Sequence, residues 1–379
     1  MNVAGRLPLL FLGMLALVAG VLAGLARLAV TVPVSAAAQA GSHGALMIAA
    51  FLGTVISLER AVALASNPRA TAGRKLWPYL APLCAGLGGF ALLSGAPLWT
   101  ALALFIIAGV LLTAGSALIV RQQPALYTAT LALGALSWLI GNLAWAGSGT
   151  IVVAIPWWMA FLVLTIAGER LELARFLPTP VAAKRAFAVI VAAMLAGMGV
   201  AFWREELGLP LFAAALIALS LWLLRYDIAR HTVRQTGLTR YIAVCLLAGY
   251  AWLAIGGLLG AAGAFSPDDP LRDAALHAVF LGFVFSMIFG HAPIIFPAVA
   301  KIQMPYHPAF YLQLVLLHGS LAARVVGDLG DLTALSQGAA IANSIALLVF
   351  VVTIVVSALR GRSGRAATAA GKALRRSIP

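Results

Sequence analysis

Residues 271–299 read LRDAALHAVFLGFVFSMIFGHAPIIFPAV. The stretch is almost wholly apolar and long enough to cross a bilayer, which takes roughly 20 residues of helix. It also carries two histidines, His277 and His291. Their separation corresponds to about 21 Å along a helix at 1.5 Å per residue, and ideal α-helical phasing returns them to within about 40° of one face. One helix is therefore expected to present an imidazole towards each side of a membrane, both looking the same way, with the rest of the chain as a cage around it.

The composition agrees. Of 379 residues, 63% are hydrophobic and 9% charged, and the mean hydropathy is +1.03. A soluble domain carries about 25% charged residues. Repeated apolar runs with helical texture point to an all-α polytopic membrane helical bundle, not a barrel. Cys84 and Cys245 both fall in apolar runs and form neither a disulfide framework nor a CxxC site. The chain has no CxxCH, so a covalently attached c-type haem is excluded on motif grounds.

About 12 spans are expected, at 7–30, 43–66, 77–96, 98–120, 124–146, 149–172, 184–203, 207–225, 241–264, 271–299, 306–325 and 333–359. Turn-forming residues punctuate several ends, as at Asn67-Pro68, Gly147-Ser148-Gly149 and Ser266-Pro267. Arg6, an apolar run and VSAAAQA resemble a signal peptide, but the run from Leu7 to Val30 exceeds an ordinary apolar h-region and reads as a retained first helix.

The net charge of +14 is explained by loop placement, with no nucleic acid needed as a partner. With the N-terminus inside, the outer side receives only Arg27, Arg204, Arg272 and Arg324 of 25 Lys and Arg. It also receives Glu205, Glu206, Asp268, Asp269, Asp273, Asp328 and Asp331 of 11 acids. That asymmetry supports an N-in and C-in topology, in a bacterial cytoplasmic (inner) membrane. Residues 1–359 then form a single transmembrane domain. Residues 360–379 form a basic cytoplasmic tail, expected to lie disordered against anionic lipid.

Ionisable groups inside a membrane are costly and mark function by default. On this map His43, His277 and His318 occupy the outer half. His291 and His307 share the inner third with Glu59 and Glu169, while His231 sits in a basic loop. Two imidazoles from facing helices can supply both axial ligands of a haem. His43 and His277 suit that, with Gly44 and Gly282 offering room for a flat ring and Arg324 for a propionate. Three imidazoles, His43, His277 and His318, would instead suit copper. A membrane histidine also serves as a plain interhelical hydrogen-bond partner. Glu59 with Arg60 and Glu169 with Arg170 read either as helix-end charges or as a proton or ion path from the cytoplasm. The tryptophans near span ends, Trp145 and Trp158 among them, read as an aromatic belt. Asn142 reads as a bond to a neighbouring helix.

His43-Gly44 followed by Met47 and Phe51 resembles the second helix of haem-copper oxidase subunit I, which carries a low-spin haem ligand. The span from His277 to Phe296-Pro297 resembles that family's tenth helix, which carries the other ligand. The chain is more similar still to the NnrS family of haem- and copper-containing membrane proteins associated with nitric oxide. The similar stretches are HGALMIAAFLG, AGER at Ala167–Arg170, FGHAPIIFP at Phe289–Pro297, and LAARVVG around Arg324. The resemblance implies a haem-copper-oxidase-subunit-I-like fold and a b-type haem. It implies His43 and His277 as axial ligands, Met47 and Arg324 beside the haem, and His318 and His291 as ligands for a second haem or copper. It further implies a role in nitric-oxide stress, denitrification or electron transfer, with a redox partner on the outer side. Spans 6 and 7 lack the histidines of a binuclear centre and position 279 is Val, so a terminal oxidase is not implied. A proton-coupled secondary transporter is the alternative from another class.

Overall fold

The computed structural model describes residues 3–66, 76–176, 179–300 and 304–376. Arg69, Arg74, Lys75, Lys301 and the turn at Asn67-Pro68 lie outside the described residues. The fold is an all-α bundle. Among the described residues, eleven helices are long and apolar enough to cross a membrane, and a twelfth apolar helix is shorter. They are α1 (Gly5–Arg27), α2 (Ala45–Ala65), the short α3 (Trp77–Leu93), α4 (Leu98–Gln122), α5 (Leu126–Ser148) and α6 (Ile151–Leu173). There follow α7 (Val181–Ala201), α8 (Glu205–Tyr226), α9 (Gly237–Ala264), α10 (Arg272–Pro297), α11 (Phe310–Leu329) and α12, whose apolar part is Thr333–Gly361. All twelve expected spans have a counterpart.

The final helix does not stop at the apolar boundary. It runs from Thr333 to Arg376, so the backbone of the basic tail is helical where an irregular segment is expected. Pro293 and Pro297 sit inside a helix continuous from Ser286 to Ala300 and do not unwind it.

Lipid is as apolar as leucine, so burial alone does not hold such helices together; close packing and interhelical hydrogen bonds do. Helices adjacent in sequence pack side by side, α5 with α6, α7 with α8 and α11 with α12 among them. The centre belongs to α2 and α10, with 72% and 67% of their apolar windows buried, against 33% for α1, α4 and α7. Gly249 and Gly256 let α9 approach α10 closely. A Cβ on Gly249 would stand 3.3 Å from the Phe283 carbonyl, and one on Gly256 3.2 Å from that of Ala275. Asn142 bonds across helices as expected, donating to the Phe105 carbonyl at 3.0 Å and accepting from Trp158 Nε1 at 2.9 Å. Trp145 and Trp158 are therefore core residues and not an interfacial belt. Trp99 and Trp203, at 70% and 80% exposure, have the belt's environment.

Two departures from α-helical geometry matter most. Directly after His43-Gly44, α2 begins as a π-helix over Ala45–Leu52. Directly after His277, α10 becomes a π-helix over Ala278–Phe285. A π turn takes about one residue more than an α turn. The ideal α phasing that would bring His277 and His291 to one face therefore does not hold across Ala278–Phe285, and the two histidines meet different neighbours.

Candidate functional site

The two histidine-bearing helices run together as a matched pair. The rings of His43 and His277 stand 6.2 Å apart, centre to centre, with their planes 22° from parallel. Eight residues further along each helix, Phe51 and Phe285 repeat the arrangement at 6.2 Å and 21°. Each histidine thus leads a π-helical run that ends, or all but ends, on the phenylalanine of the second pair, a placement π-helical turns often take at functional sites.

Both imidazoles are fixed from behind. His43 Nδ1 lies 2.7 Å from the Gly20 carbonyl on α1, and His277 Nδ1 lies 2.9 Å from the Asp273 carbonyl one turn back on α10. A carbonyl only accepts, so each Nδ1 carries a proton, and in the neutral ring the lone pair is then on Nε2. Among the described residues neither Nε2 has a hydrogen-bond partner. Gly24 of α1 allows His43 its place: a Cβ there would lie 2.7 Å from Cε1 and 2.8 Å from Nδ1 of the ring.

The pair opens on a cavity of about 380 Å³, within the roughly 300–1,000 Å³ of small-molecule sites. Its apolar wall comes from α1, α2, α6, α10 and α12 and includes Met47, Leu52, Ile155, Phe280, Phe285 and Leu347. Gly44 lines it as expected. Gly282 does not, because it faces Trp252. The rim is polar, with Arg27, Arg272, Asp273 and Arg324. Arg324, expected to be free for an anionic ligand, is already paired. Its Nε and Nη2 stand 2.8 and 2.7 Å from Asp273 Oδ2. Arg27 and Arg272 are the rim cations left without a carboxylate at ion-pair distance among the described residues, although Arg272 donates to the Phe265 carbonyl. In the sequence both read only as outer-loop charge; the fold brings the ends of α1 and α10 to the cavity of the two histidines.

The other histidines lie elsewhere. His318 on α11 accepts from Trp252 Nε1 at 2.9 Å through Nδ1, and its Nε2 faces Ser286 Oγ at 3.4 Å. An indole only donates, so both ring nitrogens are engaged and His318 does not join the pair. Among the described residues no cluster of three His, Cys, Asp or Glu side chains could hold a metal ion, so the three-imidazole copper set is not assembled. His291 Nδ1 donates to the Met287 carbonyl at 2.7 Å, and its Nε2 faces Arg170 Nη1 at 3.5 Å. Arg170 is buried and bonds both oxygens of Asp227, at 2.8 and 3.0 Å. Tyr250 donates to the same carboxylate at 3.0 Å. Arg60 pairs with Glu169 at 2.5 Å, whereas Glu59 accepts no hydrogen bond among the described residues. His231 and His307 are exposed.

Fold and site together define an all-helical polytopic membrane protein in which two imidazoles from facing helices share a cavity at one end of the bundle. Over residues 6–359 the chain matches the model of a family described as a domain of unknown function (DUF8744), and it belongs to that family. No curated protein matches it.

Proposed function

We propose that this chain is a b-type haem protein of the bacterial cytoplasmic membrane, with His43 and His277 as axial ligands. It resembles the NnrS and haem-copper oxidase proteins in this respect and serves electron transfer or the nitric-oxide response. The observation that carries the reading is the spacing of the two rings. Imidazoles bound on opposite sides of one metal ion at about 2.0 Å, each ring centre about 1.1 Å behind its nitrogen, stand about 6.2 Å apart. The rings of His43 and His277 are 6.2 Å apart before any ligand is considered.

Three further features fit. A haem brings four nitrogens of its own and asks the protein for only two, which suits a pair better than the absent triad. Both Nδ1–H groups are bound to carbonyls, the arrangement that fixes a ligating imidazole's tautomer and orientation. The rim offers Arg27 and Arg272 where two propionates need cations. Met47 and Phe280 would pack against the ring faces or edges.

When bound, such a group supplies one-electron chemistry. The chain's own contribution is to hold two imidazoles rigidly, to shield the site with α1, α6 and α12, and to leave the charged edge towards the rim, where a redox partner on the outer side would approach. The test is a reduced-minus-oxidised visible spectrum of the purified protein beside His43→Ala and His277→Ala. Sharp α and Soret bands in the wild type, lost in both variants, are expected. A colourless preparation from haem-replete cells would sink the reading and favour a proton-coupled transporter using His277 and His291.

A further inference from the structure

The two imidazoles are not anchored alike. Behind His43 stands a neutral acceptor, the Gly20 carbonyl. Behind His277 stands an anion as well as a carbonyl: Asp273 Oδ1 lies 3.3 Å from Nδ1. Asp273 precedes His277 by one helical turn on α10, which brings a short carboxylate alongside the ring. Its other oxygen is gripped by two nitrogens of Arg324 from α11, at 2.7 and 2.8 Å. Arg324 is itself buried, with its side chain 7% exposed. The carboxylate is therefore held against the ring from the far side by a cation that has no other acidic partner among the described residues.

We infer that Asp273 is a positioning residue that sets the one-electron reduction potential of a haem held by His43 and His277, and that Arg324 limits the effect. This rests on the haem reading. An anion held close beside Nδ1–H raises the electron density on Nε2 and favours the more positive, ferric state. The guanidinium draws density back. The couple is ferric iron plus one electron giving ferrous iron, with no proton in the balance. In the titration dithionite supplies the electron and ferricyanide removes it.

The experiment is a potentiometric titration of the purified full chain, followed at the α band, for wild type, Asp273→Asn, Arg324→Gln and the double variant. Asp273→Asn keeps the shape and the carbonyl acceptor but drops the charge. It is expected to favour the ferrous state by about tenfold, an upward shift of about 59 mV for one electron. Arg324→Gln is expected to shift the potential downward. Asp273→Asn leaves Arg324 buried without its counter-charge and risks failing to accumulate. The neutral double variant then carries the test, with a potential expected above that of Arg324→Gln alone. Bands intact with Asp273→Asn at the wild-type potential, or the double variant equal to Arg324→Gln, overturn the inference and leave Asp273 a plain counter-ion. Absence of haem bands from the wild type overturns the haem reading and this inference together.

Discussion

His277 and His291 lie on the same helix, and each donates Nδ1–H to the carbonyl four residues earlier. Beyond that shared anchor they differ. Nε2 of His291 meets a guanidinium that is already locked to Asp227, and Asp227 in turn takes Tyr250. Nε2 of His277 has no such partner among the described residues; its ring lines a cavity together with a second imidazole 6.2 Å away, centre to centre. One region closes its polar groups upon each other; the other prepares two lone pairs and leaves them open. The closed network satisfies its polar groups from within the chain, whereas the open pair presents its nitrogens to whatever enters the cavity.

The comparison breaks first on spectra. Removing His43 or His277 should abolish haem absorption outright. His291→Ala and His318→Ala should keep the wild-type band positions, because neither imidazole reaches the cavity. If His291→Ala abolished the bands as fully as His277→Ala, the division between the two regions would be wrong.

The closed network should show itself in stability. Asp227→Ala strips a buried arginine of its bidentate partner and removes the acceptor of the Tyr250 hydroxyl, a loss of about 3–5 kcal/mol. Thermal unfolding in detergent should register this as a large drop in midpoint, with unchanged bands in whatever remains folded. A midpoint within a degree of wild type would show that the network contributes little.

A smaller effect probes how tightly the open site is built. Gly24→Ala places a methyl group 2.7–2.8 Å from the His43 ring, so the ring must move, at about 1–3 kcal/mol. Haem content per protein should fall and the α band should broaden. Gly319→Ala is the control, since a Cβ there meets nothing within 4 Å. Equal haem content in the two variants would show that His43 has slack.

Much of this was legible in the sequence. Apolar run length and loop charge suffice for the twelve helices, because the bilayer imposes both. His43 and His277 stood out because an imidazole inside a span is conspicuous. The π-helical run of α10 was not legible: LGFVF carries no mark by which a π-helix can be told from an α-helix. The fate of His318 depended on Trp252, which is distant in sequence. Arg324 lines the cavity, but its pairing with Asp273, one turn from His277, was not legible because Asp273 reads as a loop acid.

The smallest expected effect concerns the rim. Arg27 is exposed and Arg272 half-buried, so neither cation can be strong: an exposed ion pair is worth about 0.2–1 kcal/mol. Arg27→Gln and Arg272→Gln should therefore each speed haem transfer to apomyoglobin by no more than about fivefold. The acceleration should shrink as ionic strength rises, because salt screens exposed pairs first. Arg204→Gln supplies the baseline, its guanidinium being exposed and already beside Glu206. Should Arg27→Gln and Arg272→Gln match Arg204→Gln at low salt, the rim cations do not hold propionates. The charged edge of the ligand must then turn elsewhere in the cavity, and the open region would be defined by its two imidazoles alone.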